Sequence, residues 1–502
     1  MIGPDRICGV VAAADSRGMA GQLRRALRYT RTIELRLDWL RGDGEAGRFF
    51  GWLAGCRLRA TLIATCRRRE AGGRFRGSIA SQLLVLSRAI ASGCAWCDLE
   101  CESASRCPPE ILDTLLGPAR RLISRHFFQG TPARLTAIRN AMVREGGDAF
   151  KIAAQCDSLA DAVRVLGLAR GRRRIVAVPM GEAASPARVL ALRAGSELAY
   201  APVENATAPG QATLEEMTQV YGAGRVNART RVYGVIGDPV GHSLSPQLHN
   251  AGFRARGVNA VYLPFPVRDL RDLLAAVRPL GIAGFSVTLP HKQRILRRLD
   301  GCDPLAEAIG AVNTVVVRGG GRLYGYNTDY VGVLRALERR MPLTGSRVLI
   351  FGAGGAARAV AFALVQAGAV VCVCARRPAR AGELARAAGG EAVARASLRR
   401  EFFDAIVNAT PVGMHPHAGA SPLRSEELNC RLVFDLIYRP RQTYLLQLAR
   451  RRGIETVSGL EMFLAQGFAQ WEIWTGERAP EPAMRRAVLA ALAKEEKGQR
   501  PK

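Results

Sequence analysis

The chain has 502 residues, more than a single hydrophobic core can serve, so two to four domains are expected. Hydrophobic residues make up 48% and charged residues 23%, the balance of a soluble globular protein, and no apolar run is long enough for a membrane span. The net charge of +29 comes from arginine scattered along the whole chain, without an aromatic-interleaved cluster or a basic tail; this argues against nucleic acid as the partner and leaves a basic surface that steers small anions. The opening "MIGPDRICGVVAAADSRG" moves straight into an apolar strand and lacks the pattern of a signal or transit peptide, so a cytoplasmic setting is expected. Twelve cysteines include a cluster at Cys94, Cys97, Cys101 and Cys107, but the spacing is not that of paired C-x2-C modules, and no metal is assigned.

Strand-like apolar runs begin near Arg6, Thr32, Thr61, Trp96, Arg121, Asp148, Arg174 and Leu198. Ala/Leu/Arg-rich stretches of helical period, such as "ASQLLVLSRAIAS" and "SLADAVRVLGLAR", separate most of them. Eight strand–helix repeats in the first part of the chain predict a (β/α)8 barrel, with an open doubly wound sheet as the alternative. In a barrel, chemistry collects at the carboxyl ends of the strands, and those ends carry Glu34, Arg36, Arg67, Glu100, His126 and Lys151. Lys151, inside the apolar run "DAFKIAAQ", is expensive to bury unless it is paired or chemically employed. Among cations in a dry pocket it is expected to be a neutral amine, nucleophilic toward ketones, with a histidine near it to move protons.

The motifs "ELRLD", "SRHFFQGTP", "DAFKIA", "VPMG" and "TAPGQ" together resemble type I 3-dehydroquinate dehydratase. The resemblance implies a domain over residues 1–215, with Lys151 forming a Schiff base and His126 as the acid–base group. It implies substrate contacts from Glu34, Arg36, Arg67, Arg188, Thr207 and Gln211. One departure stands out: where the family shows "EGG", this chain reads "REAGG", with Ala71 at the glutamate position and Glu70 one residue earlier. Two outcomes are open, substitution by Glu70 or loss of the contact.

After a linker over residues 216–230 the pattern restarts. "RVYGVIGDPVGHSLSPQLHNAGF" is a strand, a Gly/Pro turn and a helix start where Ser243 and Ser245 offer hydroxyls; either a carboxylate site or a simple N-cap fits. Further on, Lys292 follows a strand and a Pro turn, and Asn313, Asn327 and Asp329 stand at strand ends; a Lys–Asp pair can shuttle a proton or be a structural ion pair. The clearest motif is "VLIFGAGGAARAVAFALVQAGAVVCVCARR". A strand enters Gly352-Ala353-Gly354-Gly355-Ala356, opens a helix and returns to a second strand, which is the dinucleotide fingerprint in its βαβ context. That second strand ends in Arg376 and Arg377, with Arg380 beyond, where NAD sites carry an acid, so NADP(H) is the predicted cofactor.

These motifs together resemble shikimate dehydrogenase. The resemblance implies a two-lobed α/β dehydrogenase, with a substrate lobe over 231–335 completed by helices in 460–495, and a Rossmann NADP-binding lobe over 336–459. It implies Lys292 and Asp329 as catalytic residues and substrate contacts from Ser243, Ser245, Thr288, Asn313, Tyr438 and Gln466. On the cofactor side it implies the Gly352–Ala356 turn, the arginines, "NATPVGM" with Asn408, Thr410 and Met414, and Gly459. The two halves match consecutive steps of one pathway: 3-dehydroquinate is dehydrated to 3-dehydroshikimate, which NADPH reduces to shikimate. The alternatives are a chain in which only the dehydrogenase half is fully active, toward shikimate or quinate, and a non-enzymatic regulator on the same folds. The expected partners are these small molecules, with neither nucleic acid nor membrane. The sequence leaves the oligomeric state open.

Overall fold

The computed structural model describes residues 1–171, 174–204, 211–414 and 417–498. By internal contacts the chain divides into two compact units. One holds Met1–Gly234, Pro239–Pro246 and Gly257–Ile282; the other holds Val235–Asp238, Gln247–Arg256 and the described chain from Ala283 onward.

The N-terminal sheet has eight parallel strands: β1 (Ile7–Val11), β2 (Thr32–Arg36), β3 (Thr61–Thr65), β4 (Trp96–Glu100), β5 (Arg120–Phe127), β6 (Ala149–Gln155), β7 (Ile175–Met180) and β8 (Ala199–Pro202). Each begins within one residue of its predicted start. The order β7-β6-β5-β4-β3-β2-β1-β8 follows the chain around a barrel, β8 pairing with β1. The seam between β7 and β8 is held by single bonds: Glu197 N–H to the Ile175 carbonyl at 2.9 Å, and Ala177 N–H to Ser196 Oγ at 3.0 Å. Helices between the strands start where short polar side chains accept the first free N–H groups, as Asp15 does from Gly18 at 2.7 Å and Ser78 from Ser81 at 3.1 Å.

The barrel interior is layered. Ile2, Cys8, Ile63, Trp96, Leu122, Ala149, Val176 and Leu198 form one buried apolar cluster. Side chains alternate faces along a strand, so two residues further along are inward again. That step replaces apolar groups by Thr65, Asp98, Ser124, Lys151 and Tyr200, and the next brings Arg67, Glu100 and His126. The apolar layer closes one end of the barrel and leaves the polar layers toward the carboxyl ends.

Residues 216–230, read as a linker, pack onto the barrel instead. They form a π-turn (Glu216–Val220) and a 3-10 turn (Ala223–Arg225); Met217, Ala223 and Val226 are buried, and Arg6 Nη1 donates to the Val226 carbonyl at 2.9 Å. The apolar spacing inside this mostly polar stretch explains the difference.

The next six strands are β9 (Arg231–Gly237), β10 (Ala260–Pro266), β11 (Ile282–Val287), β12 (Gly301–Cys302), β13 (Thr314–Arg318) and β14 (Arg322–Tyr326), in the order β10-β9-β11-β13-β14-β12. β13 runs antiparallel to both β11 and β14. The last six are β15 (Arg347–Phe351), β16 (Val370–Cys374), β17 (Glu391–Ala392), β18 (Phe403–Asn408), β19 (Cys430–Asp435) and β20 (Glu455–Ser458). Their order is β17-β16-β15-β18-β19-β20 and all paired strands are parallel, so the winding reverses at β15, the topological switch point of a Rossmann sheet. Helix Gly459–Thr475 returns to the earlier sheet, where Trp474 Nε1 donates to the Val315 carbonyl at 3.1 Å. No helix among the described residues is long and apolar enough to cross a membrane.

Candidate active sites

Lys151 is 4% exposed, in register with Ser124 on β5 and Val176 on β7. Its Nζ forms ion pairs with Glu34 Oε1, at 3.1 Å, and with Asp98 Oδ2. The sequence surrounded this lysine with cations; the fold also brings two carboxylates to it. Thr65 Oγ1 donates to Glu34 Oε1 at 3.0 Å, which fixes that carboxylate. Asp98 Oδ1 accepts from Arg67 Nη2 at 2.8 Å and from Ser124 Oγ at 2.6 Å. Burial by itself would raise the Asp98 pKa, but the Arg67 and Lys151 cations outweigh it and hold the carboxyl below its usual range. Asp98 escaped the sequence analysis. The signal was its parity: it lies two residues before Glu100 and so shares its face.

His126 is the reverse case. Burial, then the Arg67 and Lys151 cations, hold its imidazole well below the usual pKa, so it stands neutral and can accept a proton. Its ring stacks on Phe128 at 6.1 Å with planes 15° apart. Arg67 is anchored by Asp98, by Ser124 Oγ at 2.6 Å and by Glu100 at 3.4 Å. Glu34, Arg67, His126 and Lys151 thus come together. Arg36 is engaged by Asp38 through two bonds of 2.9 Å. Arg188 is half-buried near Cys156 and shows no bond to the lysine cluster among the described residues, Gln211 is half-buried, and Thr207 lies outside the described residues. The "REAGG" turn answers part of the open question. Glu70 has a side chain 74% exposed and pairs with Arg68 at 3.5 Å, facing solvent instead of the lysine.

The second centre is Lys292 Nζ donating to Asp329 Oδ2 at 2.6 Å. Asn313 Nδ2 donates to Asp329 Oδ1 at 2.9 Å, and Asn327 Oδ1 accepts from the Asp329 N–H at 3.0 Å. Behind Asn313 runs a buried network absent from the sequence analysis. Thr314 Oγ1 donates to Asn313 Oδ1 at 2.8 Å, Gln470 Nε2 donates to Thr314 Oγ1 at 3.0 Å, and Ser286 Oγ donates to Gln470 Oε1 at 2.8 Å. Such a fully bonded network fixes the Asn313 amide and through it the aspartate. Ser243 Oγ accepts from the Ser245 N–H at 3.2 Å where helix Ser245–Ala255 begins, so Ser243 makes a local capping bond. Thr288 N–H bonds to the Ile236 carbonyl at 3.0 Å. Tyr438 stacks on Phe463 at 4.7 Å, and Gln466 Nε2 donates to the Phe463 carbonyl at 2.9 Å.

The Rossmann turn has the features a dinucleotide needs. Gly352 has φ +129°, and a Cβ there would meet the Ala409 carbonyl at 3.0 Å, so only glycine fits. At Gly354 and Gly355, where helix Gly355–Gln366 begins, an added Cβ would meet nothing within 4 Å: a cradle stands open over the free N–H groups of the helix start. Ala353 and Ala356 flank it, half-buried, and Arg376, Arg377 and Arg380 are exposed past the end of β16. Asn408 Oδ1 accepts from Thr410 N–H at 3.0 Å and from its Oγ1 at 2.7 Å, bending the chain toward the exposed Met414. Gly459 allows helix and strand to meet, since a Cβ would lie 2.1 Å from the Leu436 carbonyl oxygen.

Asp435, at the end of β19, holds that loop by accepting from Asn408 Nδ2 at 3.0 Å and Thr443 Oγ1 at 2.5 Å. Burial raises its carboxyl from 3.8 to about 6, against the opposing hydrogen bonds. The folded form therefore holds this proton more tightly than the unfolded chain, and the stabilisation that follows is full at about pH 4 and lost as pH rises to about 6. Two units correspond to about 3 kcal/mol. In urea titrations, Asp435→Asn should gain up to about 3 kcal/mol on the wild type between about pH 4 and about pH 7; a pH-independent difference would count against this assignment.

The fold and the two centres are those of a chain with two parts, a β/α barrel with a buried lysine centre and a dinucleotide-fold oxidoreductase. Comparison with known proteins narrows this. Residues 7–227 match the family model of type I 3-dehydroquinase. Residues 235–315 match the shikimate dehydrogenase substrate binding domain, and 459–489 the shikimate 5'-dehydrogenase C-terminal domain. The chain is 34% identical to the chloroplastic bifunctional 3-dehydroquinate dehydratase/shikimate dehydrogenase of Arabidopsis thaliana, over 95% of this chain and 83% of that protein. It is 44% identical to the NADP(+) shikimate dehydrogenase of Thermococcus kodakarensis, over 53% of this chain and 99% of that one. A crystal structure of a shikimate dehydrogenase in complex with NADP+ covers 53% of this chain and 97% of its own, with a TM-score of 0.50 and 37% identity. The chain belongs to the bifunctional 3-dehydroquinate dehydratase/shikimate dehydrogenase family.

Proposed function

We propose that the barrel converts 3-dehydroquinate to 3-dehydroshikimate through an imine on Lys151, and that the C-terminal centre reduces 3-dehydroshikimate to shikimate through Lys292 and Asp329. The observation that carries the first half is the buried Lys151 between Glu34 and Asp98, near a neutral His126. Glu34 and Asp98 can take the proton that Lys151 sheds before it attacks the ketone. The iminium then acidifies the adjacent C–H, and His126 accepts that proton. Loss of the neighbouring hydroxyl as water and hydrolysis of the imine return Lys151. Arg36, Arg67, Arg188, Gln211 and Thr207 complete the substrate site in this reading.

The second half uses NADP(H), which when bound supplies the hydride. The Gly352–Ala356 turn would hold the pyrophosphate, and Arg376, Arg377 and Arg380 the 2′-phosphate, with Asn408, Thr410, Met414 and Gly459 on the nicotinamide side. Lys292 delivers a proton to the oxygen that gains charge, and Asp329, oriented by Asn313 and Asn327, holds the ammonium in place. Ser243, Ser245, Thr288, Asn313, Tyr438 and Gln466 bind the carboxylate and hydroxyls of the substrate. The twelve cysteines are all free, which suits the cytoplasmic setting we assign.

One purified chain given 3-dehydroquinate and NADPH should form shikimate with matching NADPH loss; no NADPH loss with added 3-dehydroshikimate would refute the second half. Replacing Arg376 and Arg377 together by alanine should raise KM for NADPH roughly tenfold or more and leave KM for NADH unchanged, because each guanidinium–phosphate contact is charge-assisted. Steady-state kinetics with both cofactors reads the difference.

A further inference from the structure

Tyr200 has no part in the reaction described above. It lies on β8, two residues beyond Leu198, so alternation turns it inward at the level of Lys151. Lys151 Nζ stands over its ring, 4.4 Å from the centroid. Its hydroxyl oxygen is buried and has no hydrogen-bond partner among the described residues. Burial, reinforced by Glu34, Cys8 and Asp98 and only opposed by Arg67, raises the phenol pKa well above its ordinary value, so the hydroxyl keeps its proton.

Apart from His126, whose Nδ1 also has no partner among the described residues and which takes the C–H proton in the reaction above, the donors around Lys151 are committed. Arg67 is taken by Asp98, Glu100 and Ser124, Arg36 by Asp38, Thr65 by Glu34, and Ser124 by Asp98. Glu34 and Asp98, when ionised, only accept. Yet the oxygen of a ketone attacked by Lys151 gains negative charge as the C–N bond forms and needs a donor. An unsatisfied buried hydroxyl at that level is costly in the free protein and useful once that oxygen arrives. We propose that Tyr200 is a further substrate-contacting residue of the barrel, its O–H donating a hydrogen bond to the oxygen on the carbon that Lys151 attacks.

The phenol O–H bond stays intact in this step. The lysine ammonium and the ketone give the iminium and water. Both protons of that water come from the ammonium, relayed by Glu34 or Asp98, and the iminium nitrogen keeps the third. Tyr200 lowers the barrier by holding the oxygen.

The inference rests on the barrel reading, and one experiment separates the two. Tyr200→Phe keeps the ring against Lys151 and removes only the hydroxyl. Borohydride trapping with 3-dehydroquinate counts competent sites as the adduct endpoint, and rates are expressed per trapped site. The expected result is a fall of roughly 10²-fold in adduct formation and in dehydratase kcat/KM per trapped site. The melting temperature should hold or rise, since the lost hydroxyl was unpaired, and NADPH-linked reduction of 3-dehydroshikimate should be unchanged. If the wild type forms no adduct on Lys151, the barrel reading fails. If it does, and Tyr200→Phe reacts per trapped site within about twofold of wild type, this inference alone is overturned, whatever happens to stability.

Discussion

Lys151→Ala should abolish the dehydratase reaction, by on the order of 10³-fold or more, because removal of a covalent nucleophile leaves only binding and general acid–base terms. Borohydride with 3-dehydroquinate should then leave the chain at its unmodified mass, where the wild type gains one adduct mapping to the peptide that holds Lys151. The same variant should be less stable. Lys151 pairs with Glu34 and Asp98 at a site 4% exposed; without it Asp98 keeps its contacts with Arg67 and Ser124, and Glu34 keeps the hydrogen bond from Thr65. Breaking one partner of a buried ion pair costs about 3–5 kcal/mol, and the remaining contacts of Asp98 place this site at the lower end. Retained NADPH-linked reduction of 3-dehydroshikimate would show that the chain is folded. A variant that still dehydrates at more than about a tenth of the wild-type rate would exclude Lys151 as the nucleophile.

For the second centre, Lys292→Ala should lower kcat for 3-dehydroshikimate reduction by roughly 10² to 10⁴-fold, the range of positioned general acids. Lys292 Nζ is 2.6 Å from Asp329 Oδ2, and Asn313 holds the other carboxylate oxygen independently at 2.9 Å. The aspartate should therefore keep its place in the variant, so KM for NADPH should change little while kcat falls. Steady-state kinetics with both substrates gives the split. A loss confined to KM would make Lys292 a binding residue and leave the proton donor to be found elsewhere.

The two centres differ in how far they could be read in advance. Lys292, Asp329 and Asn313 stand at the ends of short elements, and each was legible from its motif. The network behind them was not, because Gln470 lies far along the chain, on a helix from which the sequence singled out Gly459 and Gln466 but not Gln470. In the barrel, Glu34, Arg67, His126 and Lys151 converge as expected. Arg36 is tied to Asp38 but stays within electrostatic reach of Glu34, Arg67 and His126, and Glu70 faces solvent, which no local rule distinguishes from facing inward.

Local physics explains the division. Alternation along a strand sets which face a side chain takes, and it depends on a few neighbouring residues, so the sequence by itself determined the eight strands, the inward parity of Lys151 and His126, and the glycine turn at Gly352. Which inward side chains then meet depends on register and closure, set by strands that are distant in sequence. Only the tertiary structure decided that Asp98 and Glu34 would hold the Lys151 ammonium, that Tyr200 would place beside it a hydroxyl without a partner among the described residues, and that burial would set the charge on His126 and Asp435.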